Sequence, residues 1–222
     1  MSVERKTLVC ASFKVRSLAQ AMRDVIQARA NEANAVEFRL EEFSENEVEL
    51  KQLEQLISFA KARQLLTIAT CRNEKQCKIL QAALAEGVDL VDVDLRDLTS
   101  EKLSVEKNRL IASHHDFNKT PSTQELIEIV NSCFAHAQIA KVACMVNDEA
   151  DNERLLSLYS IFPAEKLVSL GMGLKGSKTR LAAFQCNAFL SYACLSQERA
   201  TALGQFTVKE LVDVANSVKN YD

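Results

Sequence analysis

An α/β fold built on a parallel sheet is what the chain predicts. Short apolar, β-rich runs alternate with amphipathic helical stretches along all 222 residues. Eight such runs can be marked off. Only two prolines and five glycines interrupt them, and no low-complexity linker divides the chain. Eight βα units in this length are tight for a (β/α)8 barrel but within its range. A doubly wound open sheet satisfies the same alternation.

In order, the expected strands are Thr7–Ser12, Ala35–Leu40, Leu65–Thr70, Leu90–Leu95, Leu110–Ser113, Ala140–Met145, Leu167–Leu170 and Phe189–Ala193. Each is short and apolar enough for a strand covered on both faces. Between them, apolar residues recur at helical spacing over Leu18–Asn31, Glu47–Arg63, Glu74–Glu86, Ser122–Ala135, Glu149–Tyr159, Lys178–Cys186 and Thr207–Lys219. The Leu95–Asn108 connection has room for a helical turn only. Thr120-Pro121-Ser122-Thr123 is a helix start, with a hydroxyl cap beside a proline.

The composition is that of an ordinary globular chain, 47% hydrophobic and 26% charged, and residues 1–222 are expected to form one domain. A net charge of −3 and the lack of any Lys/Arg block argue against nucleic acid. The apolar run Leu8–Phe13 is broken by Ser12 and stopped by Lys14, too short for a signal core or a membrane span. A cytoplasmic protein with no membrane contact is expected. The seven cysteines (Cys10, Cys71, Cys77, Cys133, Cys144, Cys186, Cys194) are odd in number and hold no C-x-x-C pair. They read as reduced, mostly apolar packing groups rather than metal or redox sites.

Chemistry is expected where polar residues end apolar runs, because a barrel keeps its reactive groups at the C-terminal ends of its strands. Lys141 interrupts Ile139-Ala140-Lys141-Val142-Ala143. Burial disfavours its charge, so it is either a strand-end lysine snorkelling to water or an amine of lowered pKa suited to Schiff-base formation. His114 and His115 are neighbours on a strand and therefore face opposite sides. One of them suits proton abstraction near neutral pH, and Asp116 could orient a ring or cap the loop. Glu37 and Arg39 share a strand face, as do Asp92 and Asp94. The first pair is a rim salt bridge or part of a site; the second could hold a lysine or arginine in place. Gly171-Met172-Gly173-Leu174-Lys175-Gly176 spells G-x-G-x-x-G, but it follows six βα units, and no strand-end acid stands about 20 residues on. It reads instead as a tight strand-to-helix turn exposing backbone N–H groups beside Arg180, whose planar fork suits a carboxylate or phosphate. Leu195–Gln205 reads as a mobile loop over the site, with Thr201 and Gln205 as hydrogen-bonders.

Taken together, Glu37-Phe38-Arg39, Asp92-Val93-Asp94, Ser113-His114-His115-Asp116-Phe117 with Thr120-Pro121, Lys141, Gly173-x-x-Gly176-x-x-Thr179-Arg180 and Gly204-Gln205 resemble the type I 3-dehydroquinate dehydratases of the shikimate pathway. The order is the family's and nearly the whole chain is covered. The resemblance implies a single (β/α)8 TIM barrel, eight parallel strands with outer helices, forming a homodimer with no metal or cofactor. It implies that Lys141 forms an imine with the ketone of 3-dehydroquinate and that His115, rather than His114, is the general acid/base, giving 3-dehydroshikimate and water. Glu37, Arg39 and Arg180 then match hydroxyl and carboxylate contacts, and Thr201 and Gln205 match lid contacts. The chain departs from the family after the third strand. There Thr67-Ile68-Ala69-Thr70-Cys71-Arg72-Asn73-Glu74 puts alanine where an arginine is usual, so that Arg72 and Glu74 are candidates to take over. Leu203 and Thr201 replace a proline and a serine in the lid, and the serine of the first strand aligns with either Cys10 or Ser12. Two other readings use the same residues: a class I aldolase-like Schiff-base lyase with a phosphorylated sugar at Gly171–Arg180, and a barrel that binds a metabolite without turnover.

Overall fold

The barrel reading holds. The computed structural model of the protein describes residues 7–43, 47–74, 76–98 and 104–218. The chain runs β1 (Leu8–Lys14), α1 (Leu18–Ala30), β2 (Ala35–Arg39), α2 (Glu47–Lys61), β3 (Leu66–Thr70), α3 (Gln76–Ala85), β4 (Leu90–Asp94), α4 (Leu95–Leu98), β5 (Leu110–Asp116), α5 (Thr123–His136), β6 (Ile139–Met145), α6 (Glu149–Ser157), β7 (Leu167–Met172), α7 (Lys178–Gln185), β8 (Leu190–Ala193) and α8 (Val208–Val218). The charged Met1–Lys6 segment, residues 99–103 of the fourth connection and Lys219 lie outside the described residues. The eight strands form one sheet in the order β7-β6-β5-β4-β3-β2-β1-β8, with each paired ladder parallel. The backbone N–H of Phe189 donates to Leu167 O at 3.1 Å and draws the two ends together. An open doubly wound sheet is thereby excluded.

Alternation along each strand divides the apolar residues into two cores. Outward residues such as Val9, Ala11, Phe38, Val91 and Val142 pack against the helices. Inward residues such as Cys10, Ile68, Leu90, Ile111, Ile139 and Val168 fill the barrel. The inward positions turn polar towards the strand ends: Ser12 above Cys10, Glu37 above Ala35, Thr70 above Ile68, Asp92 above Leu90, Ser113 above Ile111, and Lys141 above Ile139. The barrel floor is therefore plugged with apolar groups, and the C-terminal mouth carries the polar ones.

Local chemistry sets the helix starts. Ser17 caps α1 by accepting from Gln20 N. Ser122 and Glu125 form a capping box at α5, as do Asp148 and Asp151 at α6. The strands differ most from expectation at their C-terminal ends. β1 runs to Lys14, β5 to Asp116 and β7 to Met172, each two or three residues past the expected stop. Hydrogen bonding to neighbours on both sides, such as the β5–β6 register from Ile111↔Ile139 to Asp116↔Cys144, carries the backbone on after the side chains have turned polar. Among its described residues the fourth connection contains the helical turn α4 and a 3-10 turn over Lys107–Arg109. Among the described residues no helix is long and apolar enough to cross a membrane.

Candidate active site

The barrel mouth holds a cavity of about 680 Å³. All eight residues singled out for binding or catalysis line it: Glu37, Arg39, Arg72, His115, Lys141, Arg180, Thr201 and Gln205. They come from six different strands or strand-following segments: register aligns Glu37, Arg39, His115 and Lys141, and the segments after β3, β7 and β8 bring in Arg72, Arg180, Thr201 and Gln205.

Lys141 stands near the centre, 6% exposed. Its Nζ donates to Asp92 Oδ2 at 2.7 Å, lies 4.0 Å from Glu37 Oε1, and sits 4.2 Å above the centroid of the Tyr192 ring. Asp92 is fully buried. Its Oδ1 accepts from Ser113 Oγ at 2.6 Å and is paired with Arg72, whose Nη1 also donates to Asp92 O at 3.0 Å. Burial alone would raise the Asp92 carboxyl, but the positive charges of Arg72 and Lys141 hold it well below the usual carboxylate range. Glu37 accepts from Ser12 Oγ and, at 2.8 Å, from Thr70 Oγ1. Burial pushes it up; Lys141 and Arg39 outweigh this and lower it. Both acids are therefore ionised where a cation stands between them.

The histidines divide as strand alternation requires. His115 faces the cavity, and His114 does not line it. His115 Nδ1 lies 3.1 Å from Asp94 Oδ2, and the Phe117 ring stacks over the imidazole at a centroid distance of 6.0 Å. Burial lowers the His115 pKa from its ordinary 6.5, against the upward pull of Asp94. Asp94 also binds Arg96, Oδ1 accepting from Nε at 2.8 Å, and lies well below the usual range despite its burial because His115 and Arg96 donate to it. Asp116 does not orient a ring. Its Oδ1 accepts from the N–H groups of Asn118 and Lys119 and so caps the loop.

Several expectations are refined. Arg39 pairs with Glu41 at 2.6 Å, while Glu37 turns to Ser12, Thr70 and Lys141. Ala69, the position that simple alignment put in the arginine's place, belongs to the outer core. Arg72 instead swings back from beyond the strand end to Asp92 and to Ser113 Oγ at 3.0 Å. Glu74 lines the cavity from an exposed position. Ser12 lines the cavity, whereas Cys10 lies one inward position deeper.

The glycine turn is tight, as expected, because Gly171 and Gly176 touch backbone to backbone. A Cβ on Gly176 would meet Gly171 C at 2.4 Å. The expected exposed N–H groups do not all survive: Gly171 N donates to Thr179 Oγ1, Gly176 N to Gly173 O and Ser177 N to Leu174 O. Arg180 beside it is 3% exposed. Its Nε has no hydrogen-bond partner among the described residues, and burial lowers its pKa to about 10. A buried cation in that condition asks for an anion.

The loop after β8 folds across the mouth. Arg199 clamps its base to the buried Asp24 of α1 at 2.7 and 2.5 Å. At its tip, Gln205 Oε1 accepts from Thr201 N at 2.8 Å, Thr201 Oγ1 at 3.2 Å and Ala202 N at 3.2 Å, and Thr201 Oγ1 reaches to 3.4 Å from Ser12 Oγ. Sequence reasoning missed Tyr192. The signal was present, since Leu190 and Tyr192 share a strand face by period two. Among the described residues no group of three His, Cys, Asp or Glu side chains is placed to hold a metal ion.

The sequence profile of the type I 3-dehydroquinases matches residues 9–222. The 3-dehydroquinate dehydratase of Methanocaldococcus jannaschii is 30% identical over 199 residues, covering 82% of this chain and 86% of that protein. The 3-dehydroquinate dehydratase of Methanococcus maripaludis (strain S2) is 26% identical, covering 93% of this chain and 98% of that protein. The crystal structure of 3-dehydroquinate dehydratase from Geobacillus kaustophilus superimposes with a TM-score of 0.79 at 22% identity, over 98% of this chain and 93% of that one, a likeness of fold.

Proposed function

The chain belongs to the type I 3-dehydroquinase family, and from that premise we propose that the cavity converts 3-dehydroquinate to 3-dehydroshikimate and water through a Schiff base on Lys141. One observation carries the reading: a lysine residue 6% exposed, its nitrogen held by Asp92 at the barrel mouth, with a cavity-facing histidine on the adjacent strand whose pKa burial lowers.

Lys141, having given up its ammonium proton, attacks the C3 ketone, and loss of water leaves an iminium. The iminium withdraws electrons and acidifies the C2 proton. His115, with Nδ1–H directed at Asp94, presents Nε2 as the acceptor for that proton. The resulting imidazolium returns it to the departing C1 hydroxyl, which leaves as water. Hydrolysis of the product imine frees Lys141. Acid–base help of this kind contributes about 10²–10⁴-fold. Arg180 holds the substrate carboxylate, which meets its unmatched charge. Glu37, Arg39 and Arg72 contact hydroxyl or carboxylate oxygens, and Thr201 and Gln205 close over the ligand. The internal bonds of the Gly171–Ser177 turn count against a phosphorylated substrate of the aldolase type. The same reading carries a homodimer and a cytoplasmic location.

The test is to mix the protein with 3-dehydroquinate, reduce with borohydride and map the adduct by peptide mass. An adduct on Lys141, lost in Lys141→Ala together with turnover, is expected. Lys141→Arg keeps the charge and is also expected to be inactive. No adduct from folded wild-type protein would turn the reading to a non-catalytic binder.

A further inference from the structure

The loop after β8 is tied to itself. Cys194 N donates to Phe206 O at 2.9 Å and Val208 N to Cys194 O at 3.0 Å, so its two ends are pinned side by side. Gln197 Nε2 reaches across it to Gln205 O at 3.2 Å, and Gln205 Oε1 gathers Thr201 and Ala202 at the tip. A loop closed on itself in this way moves as one piece. Its orientation over the mouth is therefore set by contacts outside itself.

Helix α1 supplies two of these. Gln20, Asp24 and Gln27 lie at i, i+4 and i+7, one stripe of the helix. Gln27 Nε2 donates to Leu195 O at 3.2 Å, where the loop leaves β8. Asp24 accepts from Arg199 Nη1 at 2.7 Å through Oδ1 and from Arg199 Nη2 at 2.5 Å through Oδ2. Gln20 Nε2 donates to the same Oδ1 at 2.7 Å. Other contacts of the loop are weaker: Thr201 Oγ1 stands 3.4 Å from Ser12 Oγ, and Gly204 lies close against Gly173. Asp24 is 1% exposed. Gln20 gives it a hydrogen bond but no charge; Arg199 brings the charge. Withdrawing the guanidinium would leave a buried carboxylate unmatched, a larger cost than breaking a neutral hydrogen bond. The two-pronged contact also fixes angle as well as distance.

Neither residue lines the cavity, yet what they hold does. Arg199 closes a 3-10 turn over Gln197–Arg199, and Thr201 stands two residues further on. Ser12, which Thr201 approaches, belongs to β1, the strand that leads into α1. The loop is thus fastened to the first βα unit through α1 and meets the same unit at the mouth. Ser12 in turn donates to Glu37, which lies beside Lys141.

We propose that Arg199 and Asp24 are positioning residues, whose ion pair holds the loop where Thr201 and Gln205 meet the bound substrate. They act through those two side chains, so their loss is felt in substrate binding and not in the chemistry at Lys141 and His115. This rests on the reading of the cavity given above and adds to it two residues that touch no substrate.

The experiment is steady-state kinetics with 3-dehydroquinate on Asp24→Asn, which keeps the side-chain shape and removes the buried charge. KM is expected to rise roughly tenfold, with kcat within threefold of wild type, as for loss of an interaction made equally in the ground and transition states. Arg199→Gln and the double variant complete a cycle. For residues that act as one clamp, the double variant has the KM of Asp24→Asn alone; independent residues would multiply to roughly a hundredfold. Asp24→Asn and the double variant leave no unpaired buried carboxylate, so their comparison stands even where Arg199→Gln does not fold. Arg199→Lys keeps the charge without the fork, and its KM should fall between wild type and Asp24→Asn. In an active wild-type background, KM within twofold in Asp24→Asn, a fall in kcat with KM unchanged, or multiplied effects in the double variant overturns the proposal alone. Folded wild-type protein without turnover overturns the Lys141 reading and this one with it.

Discussion

Asp94→Asn changes one oxygen to nitrogen on a buried side chain and tests how His115 is controlled. The carboxylate lies 3.1 Å from His115 Nδ1 and is 3% exposed. While it is ionised, neutral His115 must carry its proton on Nδ1, leaving Nε2 as the base. An asparagine can turn its oxygen to the ring, keeping the tautomer but losing a charge-assisted bond of about 1.5–3 kcal/mol, roughly 10–100-fold. It can also turn its amide, forcing the proton onto Nε2 and removing the base, a loss of about 10⁴-fold in a comparable histidine–carboxylate arrangement. The expected fall in kcat is therefore roughly 10–10⁴-fold, with borohydride adduct on Lys141 still formed. Removing the negative charge also takes away the upward pull on His115, so the acid limb of the residual rate moves to lower pH. Formation of the conjugated product, followed by absorbance across a pH series, measures both effects. A kcat within threefold of wild type, or an acid limb moved upward, would falsify the assignment of Asp94 as the group that orients His115.

Two further outcomes follow from the same electrostatics. In wild type the rate needs neutral His115, whose pKa is lowered from 6.5 by burial; activity is present above that pKa and lost as pH falls through it, and an acid limb centred above 6.5 in the kcat profile would contradict this. Arg180→Met replaces a buried guanidinium that has no partner at Nε by an apolar chain of similar length; it should stabilise the unliganded protein by about 1–3 kcal/mol, seen as a raised melting temperature, while raising KM roughly 10–100-fold through loss of a charged contact. A lowered melting temperature would show that Arg180 is matched inside the protein after all.

Much of the site could be read from the chain because strand period is simple. Lys141 announced itself by breaking an apolar run, and Glu37, Arg39, Asp92 and Asp94 could be assigned to shared faces by counting in twos. Counting in twos does not say which neighbour a side chain chooses. His115 takes Asp94 of the adjacent strand rather than Asp116 next to it in sequence, because Asp116 is drawn into its own loop. Arg72 lies beyond the third strand, where no period applies, and only the position of Asp92 shows where its guanidinium goes. Strand ends were set too early wherever polarity was taken as a stop. The Arg199–Asp24 clamp joins residues 175 apart in the chain, a pairing that no local pattern predicts.

The loop over the mouth owes its tip to a single amide oxygen, Gln205 Oε1, which gathers Thr201 N, Thr201 Oγ1 and Ala202 N. It is further seated by Gly204, where a Cβ would strike Gly173 O at 2.5 Å. A loop so held has lost its conformational freedom at folding rather than at ligand capture. Ordering it takes nothing from the affinity for a substrate. Any opening of the mouth at that tip has first to break those hydrogen bonds, so entry and exit by that route meet the same cost. One small knot in the chain sets it in both directions.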